Sequence, residues 1–379
     1  MKTYSNIRVL IVGAGLAGAT IARVLAEENC FVQIIEKRNH IAGNIFDFNN
    51  SNLERIHKYG PHLLHCDKNS PGLKFLSRFT DWISYEHRVR ALLRDGRTTP
   101  LPINKLTIED VFNKKFENDL EVKNFLDSIR NKNLIPKNTD QFFEASIGNQ
   151  LADIFFRPYT KKMWGLDPKY LSIGIGSRLP IRINDDTRYF NDNFQALPKD
   201  GYKKMIANMI SHENIKLNLN TAYDKEMEKD YEKIFLCIPI DEYYNFKFGV
   251  LPYRSILFEH RKELAEDLPS PVINFTDDNK YTRKTQWSLF PNSYHKSITW
   301  KTITYEIPCS MMQNPGEYYY PVQTKESNIL YNKYKKLSLK ESKIKFCGRT
   351  GLYRYIDMIP TVIIHLNMAK EFLNKIKNE

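Results

Sequence analysis

The chain has little that would staple it, anchor it in a bilayer or thread it on a template. Its five cysteines, Cys30, Cys66, Cys237, Cys309 and Cys347, are odd in number, far apart and without C-x-x-C or Cys/His ligand spacing. That pattern excludes a disulfide framework and a zinc site, and it fits a reducing cytoplasm with no metal. No stretch approaches the roughly 18 uncharged apolar residues of a membrane helix. The opening apolar run does not read as a secretory leader, because Arg8 interrupts it, Gly13, Gly15 and Gly18 break it, and no cleavage site follows. There is no internal repeat, no low-complexity linker and no nucleic-acid reading motif, so nucleic acid is not expected as a partner.

What is present is enough for a large core. The 379 residues, 42% hydrophobic and 13% aromatic, can build two or three structural domains. A formal charge of +12 favours an anionic partner: an acidic membrane face, a phosphorylated small molecule or, on charge alone, nucleic acid. Net charge does not choose among these. The densest basic stretch, Lys333 to Lys345, is interleaved with Tyr334, Leu337 and Leu339 and reads as a solvated amphipathic helix.

The order of local patterns predicts an α/β protein. Arg8 to Val12 is a buried strand, Gly13 to Gly18 a tight turn, Ala19 to Glu27 a helix, and Phe31 to Ile35 a second strand ending at Glu36. Residues 67 to 155 read as mostly helical, with breaks at Arg97–Pro100 and Pro136–Asn138. From about 180 to 320, short aromatic and β-branched runs suggest an antiparallel sheet. Lys233 to Pro239 and Ile344 to Phe346 look like strands returning to the first unit, and a last helix runs from about Asp357 to Lys375. The expected organisation is a discontinuous Rossmann-type domain (1–75, 200–250 and 340–379), a mostly helical domain (76–165), and an antiparallel sheet domain (166–199 and 251–339).

Gly13, Gly15 and Gly18 suit a tight turn, close backbone approach to a pyrophosphate, and packing of helix on strand, with Leu16 opening the helix whose N–H groups face the phosphates. Glu36, at the end of the second strand, suits a ribose diol and argues against a 2′-phosphate. This motif does not separate NAD from FAD. The continuation Glu36-Lys37-Arg38-Asn39-His40-Ile41-Ala42-Gly43-Asn44 is similar to flavoproteins of the glutathione reductase and amine oxidase kind, which implies an extended FAD site including Lys37 and Asn44. Gly348-Arg349, followed by a helix start at Asp357-Met358, points the same way, because a helix N-terminus stabilises negative charge on a reduced flavin.

Further segments, in order along nearly the whole chain, resemble the bacterial UDP-galactopyranose mutases. They are His57-Lys58-Tyr59-Gly60-Pro61-His62 with His65, Pro158 to Gly165, Arg178-Leu179-Pro180-Ile181-Arg182, Gln195 to Tyr202, Tyr253-Arg254-Ser255, Asn274 to Asp277, Tyr281-Thr282-Arg283, Tyr319 to Val322 and Tyr353 to Met358. The resemblance implies an isomerase that interconverts pyranose and furanose forms of a galactose-type sugar on a nucleotide, through reduced FAD whose N5 forms a covalent bond to the sugar with no net redox change. It implies that Arg178 and Arg283 hold the diphosphate, with Tyr189, Tyr319 and Tyr355 at the phosphate end and His62 packed against flavin and sugar. Phe155, Phe156, Tyr159, Thr160 and Trp164 would wall the uridine site, with Asn274 a polar contact to the nucleotide. A loop near 170–181, carrying Gly174 and Gly176, would close on substrate. A homodimer, a role in cell-surface polysaccharide and a weak association with membrane-bound glycan assembly are also implied.

The chain departs from the family where Leu63-Leu64-His65-Cys66 follows His62. The sugar therefore stays open among galactose, N-acetylgalactosamine and dTDP-linked 6-deoxygalactose (fucose), and Leu64 is compatible with a deoxy C6. A flavin amine oxidase and a non-catalytic nucleotide-binding scaffold compete with the mutase reading. Neither gives a reason for two arginines placed for a diphosphate.

Overall fold

The computed structural model describes residues 7–264, 266–294 and 299–378. Its nucleus is a five-stranded, wholly parallel sheet in the order Ile215–Asn218, Phe31–Ile35, Arg8–Val12, Lys233–Leu236, Ile344–Phe346. Val9, Leu10 and Ile11 are fully buried, as a strand covered on both faces requires. The helix Leu16–Glu27 covers one face and is in turn covered by the last helix, Met358–Asn378. Buried alanines at 17, 19, 22 and 26 let these elements approach closely.

The second sheet has seven strands, in the order Tyr320–Pro321, Tyr253–Leu264, Trp300–Ser310, Arg283–Gln286, Val272–Phe275, Val89–Leu92, Thr98–Leu101. It is antiparallel except where Val272–Phe275 runs parallel to Val89–Leu92. A small sheet joins Leu64–Cys66, Phe194–Pro198 and Trp82–Ser84 beside the nucleus.

The expectation that residues 67–155 are mostly helical needs correction. Helices do occupy Pro71–Leu76, Lys105–Phe112, Asp119–Ile129 and Thr139–Leu151, but Trp82–Ser84, Val89–Leu92 and Thr98–Leu101 are strands. Pro100, which looked like a break, sits on the terminal strand of the large sheet, where a missing N–H leaves no ladder bond unmade. The basic segment also differs from its reading as one helix through Lys345. The helix is Lys325–Ser338, capped by Thr324 and Ser327, and Lys345 lies on the edge strand Ile344–Phe346.

Candidate active site

Two cavities meet between the sheets. The first, about 690 Å³, runs over the carboxyl ends of the parallel strands. Its floor is bare backbone. Gly13 has φ of +112°, and a Cβ there would lie 2.9 Å from the Cys237 Cβ; a Cβ on Gly43 would lie 3.0 Å from the Gly15 Cα. Gly15 precedes the helix Leu16–Glu27, so that helix's first N–H groups open onto the cavity. The buried Glu36 carboxylate accepts from the N–H of Ala14 and of Arg38, both at 2.9 Å, and faces the cavity. Arg38 donates to Asn44 Oδ1 at 3.0 Å and pairs with Glu317, while Lys37 donates to the Gly316 carbonyl at 3.0 Å.

Of the residues expected at the dinucleotide, Gly13, Gly15, Leu16, Glu36, Lys37, Asn44, His62, Arg349 and Met358 line this cleft. Gly18 and Asp357 do not. Gly18 lies beneath the turn, where a Cβ would come within 2.0 Å of the Gly13 carbonyl oxygen, so it permits helix-on-strand packing rather than lining the cleft. Asp357 lines the other cavity, where its carboxylate lies 3.9 Å from Arg178.

The second cavity, about 430 Å³, joins the first at His62, Arg349 and Met358, which line both. One wall comes from an unusual helical path. A π-helical turn, Ala152–Phe156, leads into Arg157–Trp164, and the wider turn brings Phe155, Phe156, Tyr159, Thr160, Met163 and Trp164 to one surface. Upstream, Gly148 breaks the preceding helix with φ of +78°, and a Cβ there would meet the Ile129 carbonyl oxygen at 2.2 Å.

The two arginines reach the same space from different elements. Arg178, on the segment after Ile173–Gly176, donates to the Tyr355 hydroxyl at 2.6 Å and lies 3.9 Å over that ring. Arg283, first residue of its strand, donates to the Tyr159 hydroxyl at 3.3 Å. Its Nε is 3.1 Å from Glu306, the residue directly across the ladder. Both guanidinium groups sense Tyr189 and Tyr320. Burial, the largest influence, works against the Arg283 charge, but Glu306 together with Tyr159, Tyr320 and Tyr189 outweighs it and raises the group's pKa well above its ordinary range. Burial raises the pKa of Glu306, and the Arg283 charge opposes that rise. Phe155, Phe156, Tyr159, Thr160, Trp164, Arg178, Tyr189, Asn274, Arg283 and Tyr355 all line the cavity. The Asn274 Oδ1 is buried with no hydrogen-bond partner among the described residues.

Tyr319 requires correction. Its hydroxyl donates to Glu317 at 3.0 Å and its ring packs on Tyr59, behind the cavity wall. Tyr320 is the one that lines the cavity, stacked on Tyr355 at 5.7 Å. Adjacent residues of a strand face opposite ways, so a one-residue error in parity exchanges wall for interior. Leu64 is likewise buried in the core, and Leu63 faces the cavity in its place.

His62 lies where the cavities join. Burial, chiefly, with the neighbouring His57 pushes it down to about 3, so the ring is neutral at physiological pH. Its Nδ1 stands 2.9 Å from the Gly60 carbonyl and must donate there, which leaves Nε2 as an acceptor. Glu306, Tyr320, His87, Phe190 and Met163 line the cavity without having been singled out in the sequence. Met163 lies within the Pro158–Gly165 segment and Tyr320 within the Tyr318-Tyr319-Tyr320 run, whereas Glu306 is recognisable only once the register places it opposite Arg283.

Comparison with known proteins agrees with this geometry. The family model described as UDP-galactopyranose mutase matches residues 154–355, and that of an NAD(P)-binding Rossmann-like domain matches 11–79. A Klebsiella pneumoniae protein named "Probable UDP-galactopyranose mutase" is 35% identical, covering 99% of this chain and 97% of its own. The dTDP-fucopyranose mutase of Escherichia coli is also 35% identical, covering 93% of this chain and 94% of its own. A crystal structure of reduced UDP-galactopyranose mutase superposes with a TM-score of 0.73 over 97% of this chain and 96% of that one, at 17% identity. Putrescine oxidase shares the fold with a TM-score of 0.55 at 12% identity, over 97% of this chain and 99% of its own.

Proposed function

The chain belongs to the UDP-galactopyranose mutase family, and from that premise we propose that it interconverts UDP-galactopyranose and UDP-galactofuranose with bound FAD. As a nucleotide-sugar pyranose mutase it is an isomerase. The observation that carries the finer reading is the convergence of Arg178 and Arg283 on a cavity that opens onto the dinucleotide cleft at His62, Arg349 and Met358.

The cleft fits FAD. Its glycine floor leaves room only for a ligand that presses on backbone, and the Glu36 carboxylate faces the ribose position. Gly13, Gly15 and Leu16 would hold the pyrophosphate, and Arg349 with Met358 at the last helix's N-terminus would border the flavin ring. When bound and reduced, the flavin supplies the nucleophile for the anomeric carbon.

The protein's own groups then have distinct tasks. Breaking the anomeric bond leaves charge on a diphosphate, and two guanidinium forks stabilise it while fixing its position. Glu306 orients Arg283, and the Tyr320 and Tyr355 hydroxyls donate to phosphate oxygens without adding charge. The unpartnered Asn274 Oδ1 accepts from the imide N–H of the base. The neutral Nε2 of His62 accepts from a sugar hydroxyl at the junction. Aromatic walls exclude water from the reacting centre.

The alternative sugar, dTDP-linked fucose, draws support from Leu63 on the cavity wall and from the Escherichia coli relative. Anaerobic incubation of dithionite-reduced and of oxidised protein with UDP-galactofuranose, and separately with dTDP-fucofuranose, tests both. UDP-galactopyranose formed only under reduction is the expected result. Faster turnover of the dTDP sugar would replace galactose by fucose, and failure of both with yellow, folded protein would overturn the flavin mutase reading.

A further inference from the structure

Two cysteines 110 residues apart in the chain meet beneath the dinucleotide cleft. Cys237 and Cys347 each follow the last ladder pair of two neighbouring parallel strands, Leu236 with Phe346, and the Cys347 N–H donates to the Leu236 carbonyl at 2.9 Å. Matching positions of parallel neighbours point to the same face of a sheet, so the two side chains lie side by side. Their sulfurs are 3.3 Å apart. Cys30, Cys66 and Cys309 are buried on other elements. Among the described residues no third metal-ligating side chain joins the pair, which leaves a sulfur–sulfur bond as the chemistry the two can share.

The two thiols differ in access. Cys347 is fully buried, whereas Cys237 is partly exposed and lines the cleft. The Cys237 Sγ sits between two positive-φ glycines of the cleft: a Cβ on Gly13 would lie 3.7 Å from it and one on Gly348 3.5 Å. With no side chain on either glycine, this sulfur is left open to whatever occupies the space above. Burial first, and then the neighbouring sulfur, push the Cys347 thiol well up. Cys237 is therefore the thiol that meets an incoming reagent, and Cys347 is the one that reacts second.

We propose that Cys237 and Cys347 are a redox-active dithiol, which closes to a disulfide by exchange with a low-molecular-weight disulfide when the cleft is empty and which a bound dinucleotide keeps reduced by covering Cys237. The second half rests on the reading of the cleft as the FAD site. The Cys237 thiol gives its proton to water, and its thiolate attacks one sulfur of the reagent, forming a mixed disulfide as the first small thiolate leaves. The Cys347 thiol then loses its proton to solvent, attacks the Cys237 sulfur and expels the second small thiolate. The two protein thiols give up two electrons in all, and the reagent becomes two thiols. The bond shields the unloaded cleft from oxidation of Cys237 beyond the sulfenic state, which is irreversible, and the same exchange run backward reopens it.

The test treats the full-length protein, reduced beforehand and either loaded with FAD or stripped of it, with oxidised glutathione, followed by alkylation and peptide mass spectrometry. Without flavin, a linked pair of peptides carrying Cys237 and Cys347 is expected, and dithiothreitol should release it. With flavin bound, the link should form at least about tenfold more slowly, because access to the sulfur sets the rate. In Cys347→Ser the glutathione should stay on Cys237, and Cys237→Ser should acquire neither the link nor the adduct. No link in the stripped protein, links to Cys30, Cys66 or Cys309 in its place, or a link formed equally fast with and without flavin would overturn the proposal. Protein that takes up no FAD would instead overturn the cofactor reading, and its own Cys237–Cys347 link would then decide the dithiol alone.

Discussion

The two cavities share a boundary but are built from different material. The dinucleotide cleft has a floor made by backbone: glycines at 13, 15 and 43, strand ends and a helix N-terminus, with Glu36 facing it. The adjoining cavity is made by side chains drawn from a π-turn, a loop and two sheets, with paired charges buried among rings. A backbone site tolerates changes in side chain except where a glycine is needed. A side-chain site tolerates changes in path as long as the groups arrive. Substitutions should therefore separate flavin retention from turnover.

Arg283→Ala should have the largest effect. Losing one donor to a developing anion lowers kcat/KM by about 10²–10³-fold, and leaving the buried Glu306 without its partner lowers stability by about 3–5 kcal/mol. Steady-state kinetics and thermal melts check both, and the protein should still purify yellow. Colourless protein would break the distinction between the two cavities.

Gly18→Ala is the converse experiment. Its Cβ cannot share space with the Gly13 carbonyl oxygen 2.0 Å away, so the turn must move, at a cost of about 1–3 kcal/mol. Flavin content should fall, while UDP binding, measured by calorimetry on the folded fraction, should persist. Full flavin occupancy in this variant would show that the turn is more pliable than its packing implies.

A smaller difference is expected between neighbouring tyrosines. Tyr320→Phe removes a hydroxyl facing the cavity and should slow turnover several-fold, at about 1 kcal/mol. Tyr319→Phe removes only a bond to Glu317 and should leave turnover nearly intact. The opposite ranking would restore Tyr319 to the site.

The smallest effect concerns acid stability. Burial, the main cause in each case, pushes His57, His62 and His87 down to about 3 from an ordinary 6.5. Below 6.5 the unfolded chain takes up protons that the folded chain refuses. Stability should therefore be lost as pH falls from 6.5 toward 3, by at most about 1.4 kcal/mol per pH unit for each ring. Buried Asp47, Asp241 and Glu306, raised by burial, titrate in the opposite sense, so the contribution is best isolated by comparison. His87→Asn should show a shallower loss between pH 6.5 and 5 than the unsubstituted protein; parallel curves would show that His87 is protonated in the fold.

The same contrast explains what could be read in advance. Gly13, Gly15 and Glu36 lie close together in sequence, and their spacing alone carries the geometry of the turn. Gly18 carries the same spacing but acts on packing, which spacing does not distinguish from contact. Arg178 and Arg283 were legible only through resemblance to a family, because nothing local tells a guanidinium that faces a cavity from one that faces solvent. Glu306 was invisible because its role depends on the pairing of Trp300–Ser310 with Arg283–Gln286. Tyr320 was missed by one residue of strand parity, and Thr98–Leu101 was missed because a proline at a sheet edge reads like a turn.

The parallel sheet takes its strands from residues 8–12, 31–35, 215–218, 233–236 and 344–346, and the last helix lies over the first. During vectorial synthesis, the opening strand–helix–strand unit therefore leaves the ribosome long before the segments that cover it. Its apolar surfaces stay exposed through most of translation and are natural clients for a chaperone. Because Arg349 and Met358 border the same cleft as Gly13, that cleft is complete only once these segments, more than 300 residues apart in the sequence, have packed together.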